Sequence, residues 1–293
     1  MIFTAENILL IGAILIFCSI LISKTGYRFG IPTLLLFLLV GMIFGSDGLG
    51  LQFNSASDAQ FIGMMALSII LFTGGMDTKI ADIRPVLAQG ILLSTVGVLL
   101  TTLLTGGFIF YLSQWTSTNI SMSFLTCLLL AATMASTDSA SVFSLLRSQN
   151  INLKQNLRPM LELESGSNDP MAYILTIVLI QLSLTLYNGD AAEVQTAVMV
   201  VDSLKLLVQQ FASGAMIGAG AGFAASWFMN RIEINNIPLY SIMLLSIVFF
   251  TFSVSDMLGG NGYLAVYITG IIVGNKRIKH RKQVVAFFDG MTW

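Results

Sequence analysis

Charge is scarce in this sequence. Asp, Glu, Lys and Arg make up 10% of the residues, 55% are hydrophobic and the mean hydropathy is +0.84, a balance that excludes a soluble domain. The net charge is -1, and the basic residues stand in short clusters rather than in one broad patch, so nucleic acid is excluded as a partner. Cysteine is nearly absent. Cys18 and Cys127 both fall inside apolar segments and read as packing residues, with no disulfide expected. The single histidine, His280, sits among Lys and Arg and reads as part of a solvated charge run rather than as a metal ligand. The N-terminus lacks the basic start and small-residue cleavage site of a removable signal, so its first apolar run should remain as a span. What is left is an all-α polytopic membrane protein whose first partner is the lipid bilayer.

Apolar runs of about 17 to 25 residues cross hydrocarbon as helices. Nine candidates occur, at residues 7–23, 29–46, 59–76, 86–112, 122–146, 164–186, 204–229, 237–255 and 262–275. The fourth is long enough to require tilt or a kink near its Thr and Gly residues. Positive charge tests this map, because Lys and Arg gather in cytoplasmic loops. Lys24 and Arg28 follow the first span, Lys79 and Arg84 the third, and Arg147, Lys154 and Arg158 the fifth. Arg231 follows the seventh, and Lys276, Arg277, Lys279, Arg281 and Lys282 follow the ninth. Only Lys205 falls on the other side, so the N-terminus is expected outside. Residues 1–203 then hold the first six spans, with the ion-site helices at 122–186. Residues 204–275 hold spans seven to nine, and 276–293 a basic cytoplasmic loop with the start of a further segment.

Against this background the stretch ESGSNDP, Glu164 to Pro170, is costly: it places carboxylates at the mouth of an apolar run. A second acid, Asp138, lies in the polar string ASTDSAS of the preceding run and is the only charge between Phe124 and Leu146. Intramembrane acids are functional by default. Asp138 is about eight residues, or roughly 12 Å, from the cytoplasmic end of span five. Pro170 to Leu186 alone would be only about 25 Å of helix, so span six should begin nearer Glu164, which buries Asp169 at a similar depth. Thr137 and the serines at 136, 139 and 141 offer hydroxyls where a helix can loosen, and non-helical backbone at depth is tolerated only beside a cavity or inside protein. Unwound carbonyls and carboxylates together can hold a monovalent cation. A plainer alternative makes Asp169 or Asn168 the cap of a helix that starts at Pro170.

An architectural signal accompanies this one. TLLLFLLVGMIFGS in span two and GYLAVYITGIIVGN in span nine align Gly41 with Gly270 and Gly45 with Gly274. Spans seven apart run in opposite directions, as an inverted repeat requires. Counterparts of spans three to six do not follow, so the second repeat is expected to be truncated here.

At these residues the chain is similar to the monovalent cation:proton antiporters of the sodium/proton exchanger branch, particularly the bacterial potassium/proton and sodium/proton antiporters. Thr137 and Asp138 followed by ESGSNDP carry the resemblance, with support from ALSIILFTGGMDT (Ala66 to Thr78) and from Ile31 and Pro32 through Gly45. The resemblance implies an inverted-repeat antiporter fold and a homodimer in a bacterial inner membrane. It implies exchange of K⁺ or Na⁺ for a proton with no cofactor beyond the transported ions. Asp169 would be the alternating cation and proton carrier, Asn168 its neighbour, and Thr137, Asp138, Glu164 and Ser165 supporting ligands. Asn before Asp, rather than two Asps, is similar to the electroneutral members. Two departures stand out: Thr73 replaces an acid that many relatives carry, and the basic partner of Glu164 would lie beyond Trp293.

A channel would want a continuous polar lining, whereas the polar residues here cluster at one depth. An intramembrane aspartyl protease would want a glycine-flanked Asp, and Asp169 is followed by Pro170. A non-transporting ion sensor remains the further alternative. Asp256 and Asn261 among glycines read as an outside loop, and Asp77, Lys79, Asp82 and Arg84 as a solvated cytoplasmic linker. MIGAGAGFAAS, Met216 to Ser226, reads as a close helix-packing segment at a subunit or domain interface, because no strand precedes it as a phosphate loop would need.

Overall fold

The computed structural model describes residues 10, 12–22, 33–46, 48–50, 55–115, 122–137, 153–154, 156–187 and 195–292. Each expected span carries a helix, and no strand occurs among the described residues. The helices are α1 (Gly12–Ile22), α2 (Thr33–Phe44), α3 (Ala56–Asp77), α4 (Ile80–Trp115) and α5 (Phe124–Thr133). They continue as α6 (Leu157–Tyr187), α7 (Gln195–Arg231), α8 (Pro238–Met257), α9 (Gly262–Asn275) and α10 (Arg281–Thr292). Among the described residues α3, α4, α8 and the Lys205–Arg231 part of α7 are long and apolar enough to cross a membrane, while α1, α5 and α9 are shorter apolar helices.

Contacts divide the chain into two units, residues 1–64 with 143–151 and residues 65–142 with 152–293. In the first, α2 ends in a tight turn: the Leu49 amide donates to the Ile43 carbonyl at 2.8 Å, and Gly50 takes φ +80°, which glycine adopts without strain. The second unit holds the motif residues.

In the second unit α9 is gripped from two sides by helices that approach to backbone contact. A Cβ built on Gly75 of α3 would lie 2.4 Å from the Tyr267 carbonyl oxygen, and one on Gly274 would lie 2.2 Å from that of Met76. On α7, Gly214, Gly218 and Gly222 recur every four residues, so they share one face. That face meets Asn261, Ala265 and Ile272. The glycine-rich stretch of α7 therefore serves packing within the chain. Around it Phe72, Met76, Met229, Tyr240, Leu244, Val273 and Phe288 form one buried cluster, the Phe72 and Phe288 rings tilted against each other at 5.0 Å. His280 departs from the expected solvated run: its ring packs on Tyr240 at 4.8 Å, and its carbonyl accepts from the Gln283 and Val284 amides to open α10.

The other half of this unit packs α4, α5 and α6 over Val98, Ala132, Met171, Leu175 and Leu179. Helix α4, expected to tilt or kink, is irregular at two places. Pro85 sits in a 3₁₀ turn at Arg84–Val86, and a π segment occupies Leu93–Gly97, where the Ser94 and Thr95 hydroxyls both donate to the Ile91 carbonyl. Helix α6 corrects the capping alternative. It begins at Leu157, with Pro159 in its first turn where the missing amide hydrogen costs nothing. Pro170 lies in the interior, so Asn168 and Asp169 cap nothing.

Substituting Gly218 with Leu or Gly274 with Val forces backbone apart at the α9 contacts. Each should lower the thermal unfolding midpoint of the detergent-solubilised chain, by the equivalent of about 1–3 kcal/mol or more. Gly220 has no atom within 4 Å of a built Cβ, so Gly220→Ala should hold or raise the midpoint. Equal losses at all three positions would refute the close-approach account.

Candidate functional site: the end of α5 facing Glu164 to Asp169

Helix α5 starts on a cap, the Ser123 hydroxyl accepting from the Thr126 amide, and it stops at Thr133. Its last amides tighten, Met134 donating to Ala131 and Ala135 to Ala132, and the backbone of Met134 to Thr137 is no longer helical. This break is where the hydroxyl-rich string predicted loosening. It turns Ser136 and Thr137 toward one face of α6.

That face is built by helical spacing. Glu164 and Asn168, like Ser165 and Asp169, are four residues apart and so stack on neighbouring turns. Asp169 lies about 18 Å along the helix from Leu157, deep within the span. Asn168 is fully buried and joins the elements. Its Nδ2 donates to Thr137 Oγ1 at 2.5 Å and to Glu164 Oε1 at 3.1 Å, while its Oδ1 accepts from the Ser136 hydroxyl at 3.2 Å. The same hydroxyl contacts Asp169 Oδ1. Ser165, also buried, donates to Glu164 Oε2 at 3.4 Å and stands 3.4 Å from Thr137 Oγ1.

The structure thus brings together five of the six sequence-predicted residues: Thr137, Glu164, Ser165, Asn168 and Asp169. The sixth, Asp138, lies outside the described residues. Thr73 bonds the Ile69 carbonyl of its own helix at 2.8 Å, so Asn168 takes its partners from α5 and α6. Among the described residues, no cation lies within ion-pair range of Glu164.

A cavity of about 360 Å³ opens beside the cluster, with Ser136, Thr137 and Glu164 on one wall and Leu93, Gly97 and Thr101 of α4 on the other. The π segment of α4 and the break in α5 thus border the same space. Both are irregular backbone at depth, and both adjoin a cavity or protein. Among the described residues no three His, Cys, Asp or Glu side chains converge. The donors are instead hydroxyls, an amide oxygen and two carboxylates, hard oxygen ligands suited to alkali cations and protons.

Two supporting residues escaped the sequence reading. Asn261 is buried rather than part of a solvated loop. Its side chain caps α9 at the Leu264 amide (2.7 Å) and donates to the Pro170 carbonyl (3.4 Å), and its own amide donates to Gln210 of α7. An Asn directly before an apolar run is a helix-start signal that could have located it. Tyr267 packs its ring where a Cβ on Gly166 would stand 2.7 Å away, and no local pattern marks that contact.

The chain belongs to the family described as "Sodium/hydrogen exchanger, transmembrane", whose model matches residues 12–292. It is 39% identical over 289 residues to a protein named K(+)/H(+) antiporter NhaP2 from Shewanella sp. (strain ANA-3), covering 98% of this chain and 47% of that protein. It is 36% identical over 288 residues to K(+)/H(+) antiporter NhaP of Alkalimonas amylolytica, at the same coverages. The chain therefore spans about half the length of these relatives. Its fold matches the solved sodium proton antiporter MjNhaP1 of Methanocaldococcus jannaschii, with a TM-score of 0.72 and 22% identity over 98% of this chain and 68% of that one.

Replacing Asn168 with Leu keeps the branched shape but leaves Ser136, Thr137 and Glu164 without their amide partner. The expected cost is about 2–3 kcal/mol, read as a lowered unfolding midpoint. Ser165→Ala removes only long hydrogen bonds and should cost less. A reversed order would sink the assignment of Asn168 as the joint of this cluster.

Proposed function

We propose that this chain carries the ion-binding half of a secondary transporter that exchanges K⁺ or Na⁺ for a proton by alternating access. The observation that supports this reading best is the contact of one hydroxyl, on Ser136, with both Asn168 and Asp169 at the break in α5. Deprotonated, Asp169 binds a dehydrated cation, with Thr137, Ser165 and Glu164 as neighbouring oxygens and Asp138 as a further carboxylate. Protonated, it releases the cation. Only these two loaded states cross, so the flux is driven by the difference between two ion gradients and involves no chemical conversion. Asn168 in place of a second carboxylate makes the exchange electroneutral, one cation for one proton. The names of the relatives, K(+)/H(+) antiporters, support potassium as the first ion to test.

In this reading the protein sits as a homodimer in a bacterial inner membrane with its N-terminus outside, the orientation that the distribution of Lys and Arg supports. Residues 122–186 supply the site helices.

The test uses the full-length protein in everted vesicles. Asp169→Ala should abolish cation-dependent proton flux, and retained flux would overturn the carrier role. Asn168→Asp should introduce charge movement; if flux stays insensitive to membrane voltage, the electroneutral account is wrong.

A further inference from the structure

A second cavity, of about 350 Å³, lies where the ends of α7 and α9 meet, far along α7 from the Gly214 contact and outside the ion cluster. Its wall carries Arg231, Lys276 and Arg277 together with Phe223, Trp227 and Asn230. Arg231 closes α7 and Lys276 follows the last residue of α9. Basic residues at helix C-termini ordinarily bond the final carbonyls and offset the negative end of the helix dipole. Among the described residues none of the three side chains donates to a carbonyl, and no carboxylate lies within ion-pair range of any of them. Lys279 instead is the residue that pairs with Glu233, at 3.7 Å.

The loop that carries the charges is held in place. Asn230 Nδ2 donates to the Arg277 carbonyl at 2.7 Å, and its Oδ1 accepts from the Lys279 amide at 3.1 Å. The Lys276 ammonium rests over the Phe223 ring, 5.2 Å from its centre, a contact that orients the charge without neutralising it. Three like charges gathered around one concavity make it favourable for an anion. At roughly 30 Å³ per water the cavity holds about ten waters, enough for a phosphate with a small polar group attached.

The rest of the surface selects the form of that anion. Phe223 and Trp227 are 56% and 58% exposed and lie one turn apart on α7. Met216, 69% exposed, and Gly220, with open space around it, continue the same face away from the charges. The cavity is thus a cationic pocket at the foot of an apolar helix face, with an indole at the boundary where Trp belongs in a bilayer. The basic residues fall on the side that the charge distribution assigns to the cytoplasm, where basic pockets between spans take anionic headgroups.

The geometry points to a phosphate-binding site for the headgroup of an anionic phospholipid, with Arg231, Lys276 and Arg277 around the phosphate and an acyl chain along Trp227, Phe223, Gly220 and Met216. The site is separate from the antiport reading and stands or falls without it.

The test places the chain in nanodiscs of phosphatidylcholine alone or with phosphatidylglycerol, and reads both the unfolding midpoint and the lipids retained in native mass spectrometry. Phosphatidylglycerol should raise the midpoint and be retained about tenfold or more over phosphatidylcholine. The triple variant Arg231→Gln/Lys276→Gln/Arg277→Gln should lose that preference while keeping its midpoint in pure phosphatidylcholine. Lys79→Gln/Arg84→Gln, which removes basic residues at another loop, should keep the preference. If the triple variant misfolds, Lys276→Gln alone should reduce retention by a smaller factor, and unchanged retention there overturns the site. Equal retention of the two lipids, or equal loss in the Lys79/Arg84 control, also overturns it. Inorganic phosphate that stabilises the chain in pure phosphatidylcholine, and fails to do so in the triple variant, would overturn the lipid as the ligand in favour of a soluble phosphate.

Discussion

A polar group buried in hydrocarbon must find a partner within the protein, and at the centre of this chain that requirement falls on the amide of Asn168. A primary amide can give two hydrogen bonds and accept others through its oxygen. Asn168 uses both capacities, giving protons to Thr137 and Glu164 and taking one from Ser136. An aspartate in its place could only accept, and would put a second charge beside Asp169. Through this one side chain the end of α5 and Glu164 are tied to the same point of α6. A half-satisfied buried network is worse than none, so the cluster acts as a unit and its members cannot be weighed singly.

The framework around it solves a different problem. Without water to drive helices together inside a bilayer, association relies on close packing. Here α9 takes α3 and α7 at backbone distance through Gly75, Gly218 and Gly274. Helix α9 also carries the two contacts that reach α6, the Tyr267 ring on Gly166 and the Asn261 bond to Pro170. Pro170 is the reason the second is useful. A proline within a helix deprives the carbonyl four residues earlier of its partner and crowds it, and that carbonyl belongs to Gly166, against which Tyr267 packs. The weak point in α6 is thus braced from outside on both sides of Asn168 and Asp169.

Much of this was legible in the sequence because it rests on patterns the sequence must display. Apolar length located the helices, each expected run carrying one. The cost of Asp169 in an apolar run drew attention to Glu164–Pro170, and the string of Ser and Thr at 135–141 marked the break in α5. The start of α6 was read near Glu164, with Pro170 as the start in the capping alternative, and the helix begins earlier, at Leu157, with the quieter Pro159 in its first turn. Asn261 was hidden by its glycine neighbours, which imitate a loop, although its role depends on what three other helices place around it. His280 read as solvated because its neighbours are charged, yet its position is set by Tyr240, forty residues away in sequence. Long-range partners of this kind leave no local trace.

The two irregular segments around the cavity bear on how such a site can work. A straight α-helix satisfies its own carbonyls and has nothing to offer an ion, whereas the π segment at Leu93–Gly97 and the break at Met134–Thr137 both redirect backbone and hydroxyl groups. Both segments contribute to the lining of one 360 Å³ space. Where α5 ends, backbone groups lose helical partners that the apolar environment cannot replace. Hydroxyls recover part of that cost locally, Ser94 and Thr95 at Ile91 on one wall, Ser136 and Thr137 at α6 on the other. The difference between the walls is instructive: in α4 the hydroxyls are consumed by their own helix, while in α5 they turn across to Asn168 and Asp169. A cation arriving in the cavity would therefore compete for oxygens on the α5 side, and it is there that the balance between an internal hydrogen bond and an ion ligand can tip.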